Sequence, residues 1–152
     1  MLLEPTGVRY NMVMNSYKHG VYQNIFHLTW QTKCRYKVLR QEKYRQAMRQ
    51  ILEETAYRHG MRFVELAVMP DHVHSLVDCH PALSQAKALN LLKGASAHEF
   101  FERFPKFRLR YPKGHFWSPG KGGRTVGDVD QETAIDYVRR QAEQTALTDF
   151  TK

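Results

Sequence analysis

The chain has 152 residues and carries 23 Lys+Arg against 15 Asp+Glu, a formal charge of +8. With 42% hydrophobic and 25% charged residues it has the composition of a single folded domain, which excludes wholesale disorder and a collagen-like chain. No apolar run approaches the ~18–20 residues that cross a bilayer, and the excess of positive charge points to a polyanionic partner. Cys34 and Cys79 are too few for a disulfide framework and lack metal-site spacing, so both read as free thiols in a reducing compartment. The start, Met1-Leu2-Leu3-Glu4-Pro5, has neither the basic nor the apolar region of a secretory signal. The expectation is one domain over 1–152, with 1–16 as an N-terminal arm and 147–152 as a tail.

In chain order, the first regular element is a half-buried strand over about 21–33, where Phe26, Leu28 and Trp30 alternate with His27 and Thr29. A helix follows, because Tyr44, Ala47, Met48, Ile51, Leu52 and Thr55 fall on one face, and Gly60 supplies a left-handed stop. Residues 61–68 read as a second strand. Pro70-Asp71 breaks it, and 72–78 returns as a third strand in a hairpin. Ser84 is the expected N-cap of a second helix whose apolar face holds Leu89, Leu92, Phe100 and Phe104, and which Pro105 ends. A fourth strand is expected around 115–118 or 123–126, and a third helix over about 131–146, introduced by Gly127 and Asp130. The order βαββαβα gives an α+β fold with a ferredoxin-like, RRM-like βαββαβ core. That core is a four-stranded antiparallel sheet with helices on one face, and the C-terminal helix is left over to carry a site.

Three groups of residues carry potential chemistry. His72 and His74 are two apart on a strand and so share a face, a ready pair of ligands for a divalent ion. A histidine-triad hydrolase would need a third histidine at Leu76, which argues against that class. Tyr137 and Gln141, four apart on the last helix, share a face about 40° wide that is displaced from the apolar stripe of Ile135, Val138 and Ala142. The stretch from Arg103 to Trp117 interleaves Lys106, Arg108, Arg110 and Lys113 with Phe104, Phe107, Tyr111, Phe116 and Trp117. It reads either as a nucleic-acid surface, with cations for phosphates and aromatic faces for unpaired bases, or as a charged face over core aromatics. A second basic group runs from Lys33 to Arg49. His27 alternates with the apolar positions of the first strand and has no assigned role; His19, His59, His80 and His98 read as surface or cap residues.

Met69-Pro70-Asp71-His72-Val73-His74 resembles the HUH motif of the single-tyrosine transposases of the insertion-sequence 200/605 group. Phe26-His27-Leu28-Thr29-Trp30-Gln31-Thr32-Lys33, Leu92-Lys93-Gly94-Ala95-Ser96, Phe116-Trp117-Ser118 and Tyr137-Val138-Arg139-Arg140-Gln141 resemble the same family in the same order. Together they span roughly 17–145. The resemblance implies a DNA transposase, active in the prokaryotic cytoplasm, that cuts and rejoins single-stranded DNA at hairpin-bearing element ends. It further implies Tyr137 as nucleophile, His72, His74 and Gln141 as ligands of Mg²⁺ or Mn²⁺, and a homodimer in which the tyrosine helix commonly completes the partner's site. Expected DNA contacts are Lys33, Arg35, Lys93, Arg108, Arg110, Lys121 and Arg124. The glycines Gly120, Gly122, Gly123 and Gly127 are expected to form a flexible link to the tyrosine helix. Pro119 to Arg124 departs from the family, which usually has an aromatic and apolar strand after Trp-Ser.

Three rivals remain on the sequence. A domesticated relative would cleave palindromes without mobilising its own gene. A non-catalytic single-stranded nucleic-acid-binding module would share the topology. A small metal-dependent hydrolase would use His72, His74 and a carboxylate such as Asp71, and would tolerate loss of Tyr137.

Overall fold

The structure is a computed structural model that describes residues 15–17, 20–22, 24–120, 122–125 and 131–150. Two short strands, β1 (Asn15–Tyr17) and β2 (Gly20–Tyr22), form an antiparallel hairpin. The expected arm therefore gives up its last two positions, 15 and 16, to a strand. The expected first long strand is divided in two: β2 ends at Tyr22, and β3 runs over Ile25–Gln31. Asn24 fixes the break. Its amide donates to the carbonyls of His80 and Leu83 at 3.0 and 3.1 Å, and its own carbonyl accepts from Cys79 N at 2.9 Å.

The remaining elements are α1 (Glu42–Arg58), β4 (Met61–Val68), β5 (His72–Cys79), α2 (Gln85–Arg103), β6 (Gly122–Thr125) and α3 (Gln131–Phe150). Gly60 takes φ +70° after α1, a backbone region that only glycine enters cheaply. Ser84 caps α2 as expected, its hydroxyl accepting from Lys87 N at 3.1 Å. The sheet order is β4-β5-β3-β6 with every neighbouring pair antiparallel, which is the ferredoxin-like arrangement. The last strand falls at the later of its two expected positions. The earlier contributes one bridge, Thr32 to Trp117. Gly122 and Gly123 are ladder residues, paired with Thr29 and Leu28, and so do not belong to a link before α3. Gly127 and Asp130 lie outside the described residues.

Strand alternation divides the sheet between two cores. Phe26, Leu28 and Trp30 on β3, with Val73 and Val77 on β5, face α1 and α2 and join Met48, Ile51, Leu52, Leu89, Leu92 and Phe100. The opposite face carries Ile25, Ala67, Met69 and Leu76, which pack with Val138 of α3. Helices α1 and α2 thus cover one face and α3 the other.

The aromatics between Phe104 and Trp117 belong to the first core. Phe107, Tyr111, Phe116 and Trp117 are buried and Phe104 packs against them. Of the two readings of this stretch, the aromatic faces are core and are not available for stacking on bases. The cations stay outside: the Arg108 guanidinium lies over Phe101 at 4.9 Å and that of Arg110 over Tyr36 at 4.5 Å. Among the described residues, no helix is long and apolar enough to cross a membrane.

Candidate active site

The face under α3 is where the chemistry gathers. The β3–β5 register places His74 opposite Thr29 and His72 opposite Gln31, with His27 opposite Leu76. All of these positions point away from the α1/α2 core, because each is one residue out of phase with Phe26, Leu28, Trp30 and Val73. His27 and His74 are diagonal neighbours across the strand pair, their rings stacked with centroids 6.0 Å apart. The rings of His72 and His74 are 4.9 Å apart.

Helix α3 brings Tyr137 to this cluster. Its ring stands edge-on to His74 at 5.6 Å and to His27 at 6.1 Å. Val138, only 1% exposed, is the knob that seats the helix against Ile25, Ala67, Met69 and Leu76. The next residue, Arg139, ties it to β4 through Glu65 at 2.7 Å. Tyr137 itself is 46% exposed, off the buried stripe as its helical position predicts. The stripe differs from the expected one in its last member. Ala142 is exposed, and Thr145 is buried instead, its hydroxyl 3.2 Å from Met69 Sδ and 3.2 Å from the Gln141 carbonyl. Gln141 is accordingly half-buried on the side of the helix that meets the sheet. Tyr137 approaches His74 of its own chain, where the resemblance commonly places the tyrosine helix in the partner's site.

A groove of about 370 Å³ opens beside the two histidines, lined by Thr29, Gln31, Arg35 and the segment Ser118, Pro119 and Gly120 among others. Its walls are fixed from below. The Lys93 ammonium donates to the carbonyls of Ser118 at 2.8 Å and Gly120 at 3.2 Å. Trp117 Nε1 donates to the buried Ser96 hydroxyl at 2.9 Å. Burial lowers the Lys93 ammonium below the usual lysine range. Lys93, expected to contact DNA, is therefore committed to the groove wall, and the Lys93…Ser96 motif on α2 is a clamp for that loop.

The donor chemistry of the cluster suits a divalent ion. Burial, then the neighbouring His72 and His27, push His74 down to about 4, so the ring is neutral near pH 7. Its Nδ1 is buried with no hydrogen-bond partner among the described residues. His72 is held differently: its Nδ1 hydrogen-bonds Asp71 Oδ1 at 2.6 Å, which leaves Nε2 as the free lone pair. Both Asp71 oxygens are engaged, Oδ1 by His72 and Oδ2 by the Arg35 guanidinium at 3.5 Å. Among the described residues, no three His, Cys, Asp or Glu side chains converge as a metal site. Asp71 is thus not placed as a third ligand beside the histidines, which weighs against the hydrolase reading. The amide of Gln141 is a donor of a type outside that set.

Of the other expected DNA contacts, Arg35 lines the groove, and Lys33 lies next to it in a short 3₁₀ turn. Arg108 and Arg110 are exposed on the turn after α2. Arg124 sits on β6 opposite His27, and Lys121 lies outside the described residues. His27 has no role among the sequence expectations. The signal was present in its phase, shared with Thr29 and Gln31 and opposed to the core positions of the same strand.

A ferredoxin-like sheet with two neighbouring strand histidines, and a helix that docks a tyrosine over them, defines the class: an α+β domain whose C-terminal helix closes a histidine–tyrosine cluster. The chain belongs to the IS200-like transposase family, whose model matches residues 20–141. It is 32% identical to the ISDra2 transposase TnpA of Deinococcus radiodurans over 121 residues, covering 80% of this chain and 86% of that one. It is 27% identical to the IS200 transposase of Salmonella typhimurium over 134 residues, covering 82% and 86%. Among solved structures, a Deinococcus radiodurans crystal structure described as a transposase superposes with a TM-score of 0.69 at 32% identity, covering 84% of this chain and 98% of that one. A REP-associated tyrosine transposase bound to a REP hairpin shares the fold at 15% identity, with a TM-score of 0.57 and coverage of 82% and 70%.

Proposed function

We propose that the chain cuts and rejoins single-stranded DNA through Tyr137, at hairpin-bearing ends of an insertion sequence. The observation that carries this reading is the edge-on approach of Tyr137 to His74, at 5.6 Å, beside a groove that also presents Arg35. The half-exposed phenol is open to substrate, and the neutral imidazole beside it keeps one ring lone pair for a ligand's role.

In the reaction, the Tyr137 phenol oxygen attacks phosphorus and gives up its proton. The P–O3′ bond breaks, the 3′ oxygen leaves as a hydroxyl, and the DNA remains on the protein as a 5′-phosphotyrosine ester. The ester keeps the energy of the phosphodiester, so attack by a new 3′-OH rejoins the strand without ATP. His72 and His74, with Gln141 on the facing helix, would hold Mg²⁺ or Mn²⁺. When bound, the ion polarises a non-bridging phosphate oxygen. Arg35 pairs with a backbone phosphate and sets the strand's register in the groove.

Two element ends require two tyrosines, so strand exchange is assigned to a homodimer acting on the DNA of the bacterial nucleoid. The approach of Tyr137 to His74 within one chain corresponds to a subunit that cleaves with its own tyrosine. The hairpin preference rests on the fold shared with the REP-hairpin complex and on the charge of +8. A mobile element is the reading supported by the 32% identity to the ISDra2 transposase. A passive binding module of RRM type would present an uncovered sheet face to bases, whereas α3 seals part of this one.

Covalent trapping tests the reading. Single-stranded hairpin DNA bearing the native element ends is incubated with protein and Mn²⁺, then resolved on a denaturing gel. A protein–DNA band present in wild type and absent from Tyr137→Phe and His74→Ala is the expected result. Cleavage that survives Tyr137→Phe would overturn it in favour of a metal-dependent hydrolase. Tight binding without any adduct would leave a binding module.

A further inference from the structure

Between β3 and α1 the backbone does something unusual. Cys34 and Arg35 take φ of 62° and 50°, consecutive left-handed residues that are not glycine. Such conformations are strained for side-chain-bearing residues and persist where the surroundings over-determine them. Here they do. The Thr32 hydroxyl bridges the carbonyls of Tyr36 at 2.8 Å and Asp71 at 3.2 Å, Thr32 N donates to the Asp71 carbonyl at 2.8 Å, and the Tyr111 hydroxyl donates to the Lys33 carbonyl at 3.1 Å. The result of the turn is that Arg35, 58% exposed and lining the groove, reaches back to Asp71.

We propose that Asp71 is a positioning residue that joins the two halves of the site: one carboxylate oxygen orients His72 as a metal ligand and the other aims Arg35 into the groove. The inference rests on the metal and DNA roles proposed above and goes beyond them, since it assigns to one carboxylate both the orientation of a ligand and the placement of a phosphate-binding cation. Asp71 Oδ1 accepts from His72 Nδ1, so the imidazole lone pair is fixed at Nε2 and the ring cannot rotate freely about χ2. Asp71 Oδ2 holds the Arg35 guanidinium by one edge, at Nε. The terminal nitrogens are thereby left for a DNA phosphate.

The decisive measurement is Mn²⁺ affinity of the full chain without DNA, read from the free-ion signal in electron paramagnetic resonance. Asp71→Ala is expected to weaken Mn²⁺ about 10–100-fold, the range seen when a ligand's outer partner is removed. Asp71→Asn keeps an acceptor for His72 and should fall between Asp71→Ala and wild type. Arg35→Met should leave Mn²⁺ affinity within about threefold of wild type while raising the KM for hairpin DNA, because it touches only the second half of the device. A purely structural role for Asp71 would lower the melting temperature without separating these two readouts. If Asp71→Ala does not fold, Asp71→Asn decides: an affinity loss of threefold or more supports the proposal. Unchanged Mn²⁺ affinity in the folded variants, with wild type binding the ion, would overturn the proposal and spare the metal reading. A wild-type chain that binds no Mn²⁺ would overturn both.

Discussion

Arg139 on α3 meets Glu65 on β4 with Nε and Nη2 each 2.7 Å from one carboxylate oxygen, and a single extra residue in β4 makes the meeting possible. The β4–β5 register pairs Phe63 with Val77 but Glu65 with Leu76, so Val64 is a bulge. Without it Glu65 would point into the α1/α2 core. With it, Val64 and Glu65 both turn towards the face of the sheet that α3 covers. The pair and the Val138 knob together hold the tyrosine helix over the histidines.

Removing Arg139 should loosen that docking. The pair is open to solvent on the arginine side, at 62% exposure against 19% for Glu65. Arg139→Met is therefore expected to cost only about 0.5–1 kcal/mol of global stability. Its larger effect should be local: faster amide exchange along α3 and slower adduct formation by Tyr137, with exchange in β5 unchanged. Hydrogen exchange with mass-spectrometric readout checks both elements at once.

Lys93 offers a second test, because its two proposed roles leave different traces. A lysine that neutralises a phosphate lowers the slope of log K against log salt by about 1 when it is removed. The Lys93 ammonium is spent on the Ser118 and Gly120 carbonyls, so Lys93→Met should leave the slope unchanged. The variant should still bind hairpin DNA less tightly, since the groove wall loses its clamp. Fluorescence anisotropy across a salt series distinguishes the two outcomes.

Tyr111 predicts an alkaline limb. Burial pushes its phenol up to about 12, and its hydroxyl donates to the Lys33 carbonyl. The folded value lies above the unfolded one near 10. The contribution to stability is therefore complete below about pH 10 and lost as the pH rises through 12. Absorbance at alkaline pH should show one late-titrating tyrosine that is missing in Tyr111→Phe, and the variant's stability should fall less steeply over the same window.

The two thiols should differ in reactivity. Cys34 is exposed, whereas Cys79 is buried and its thiol is pushed up to about 12 by burial and by Asp78. A thiol-specific chromophore should label one cysteine in the native chain and two after denaturation. Cys34→Ser should abolish the native signal.

Local patterning along the chain was enough to read the order of elements from β3 onward, the strand that pairs the two histidines, and the helix that carries Tyr137 and Gln141. These are local facts. A two-residue period places His72 and His74 on one face, a 3.6-residue period sets Tyr137 off the apolar stripe, and Gly60 and Ser84 punctuate their helices whatever lies across the fold. The interleaved aromatics after Arg103 were legible only as two alternatives, because composition does not say which rings the helices will cover. The glycines before α3 misled for a related reason: Gly122 and Gly123 are paired by β3, a partner more than ninety positions away.

How the site closes is a property of the folded chain. Folding placed α3 on the face opposite α1 and α2 and set Tyr137 against His74 and His27 of the same chain. It committed Lys93 to a loop and threaded one carboxylate between Arg35 and His72. Each of these depends on contacts distant in sequence, and on a bulge and a strained turn that pattern reading does not register. A bulge shifts every later side chain to the other face while leaving the composition of its strand unremarkable.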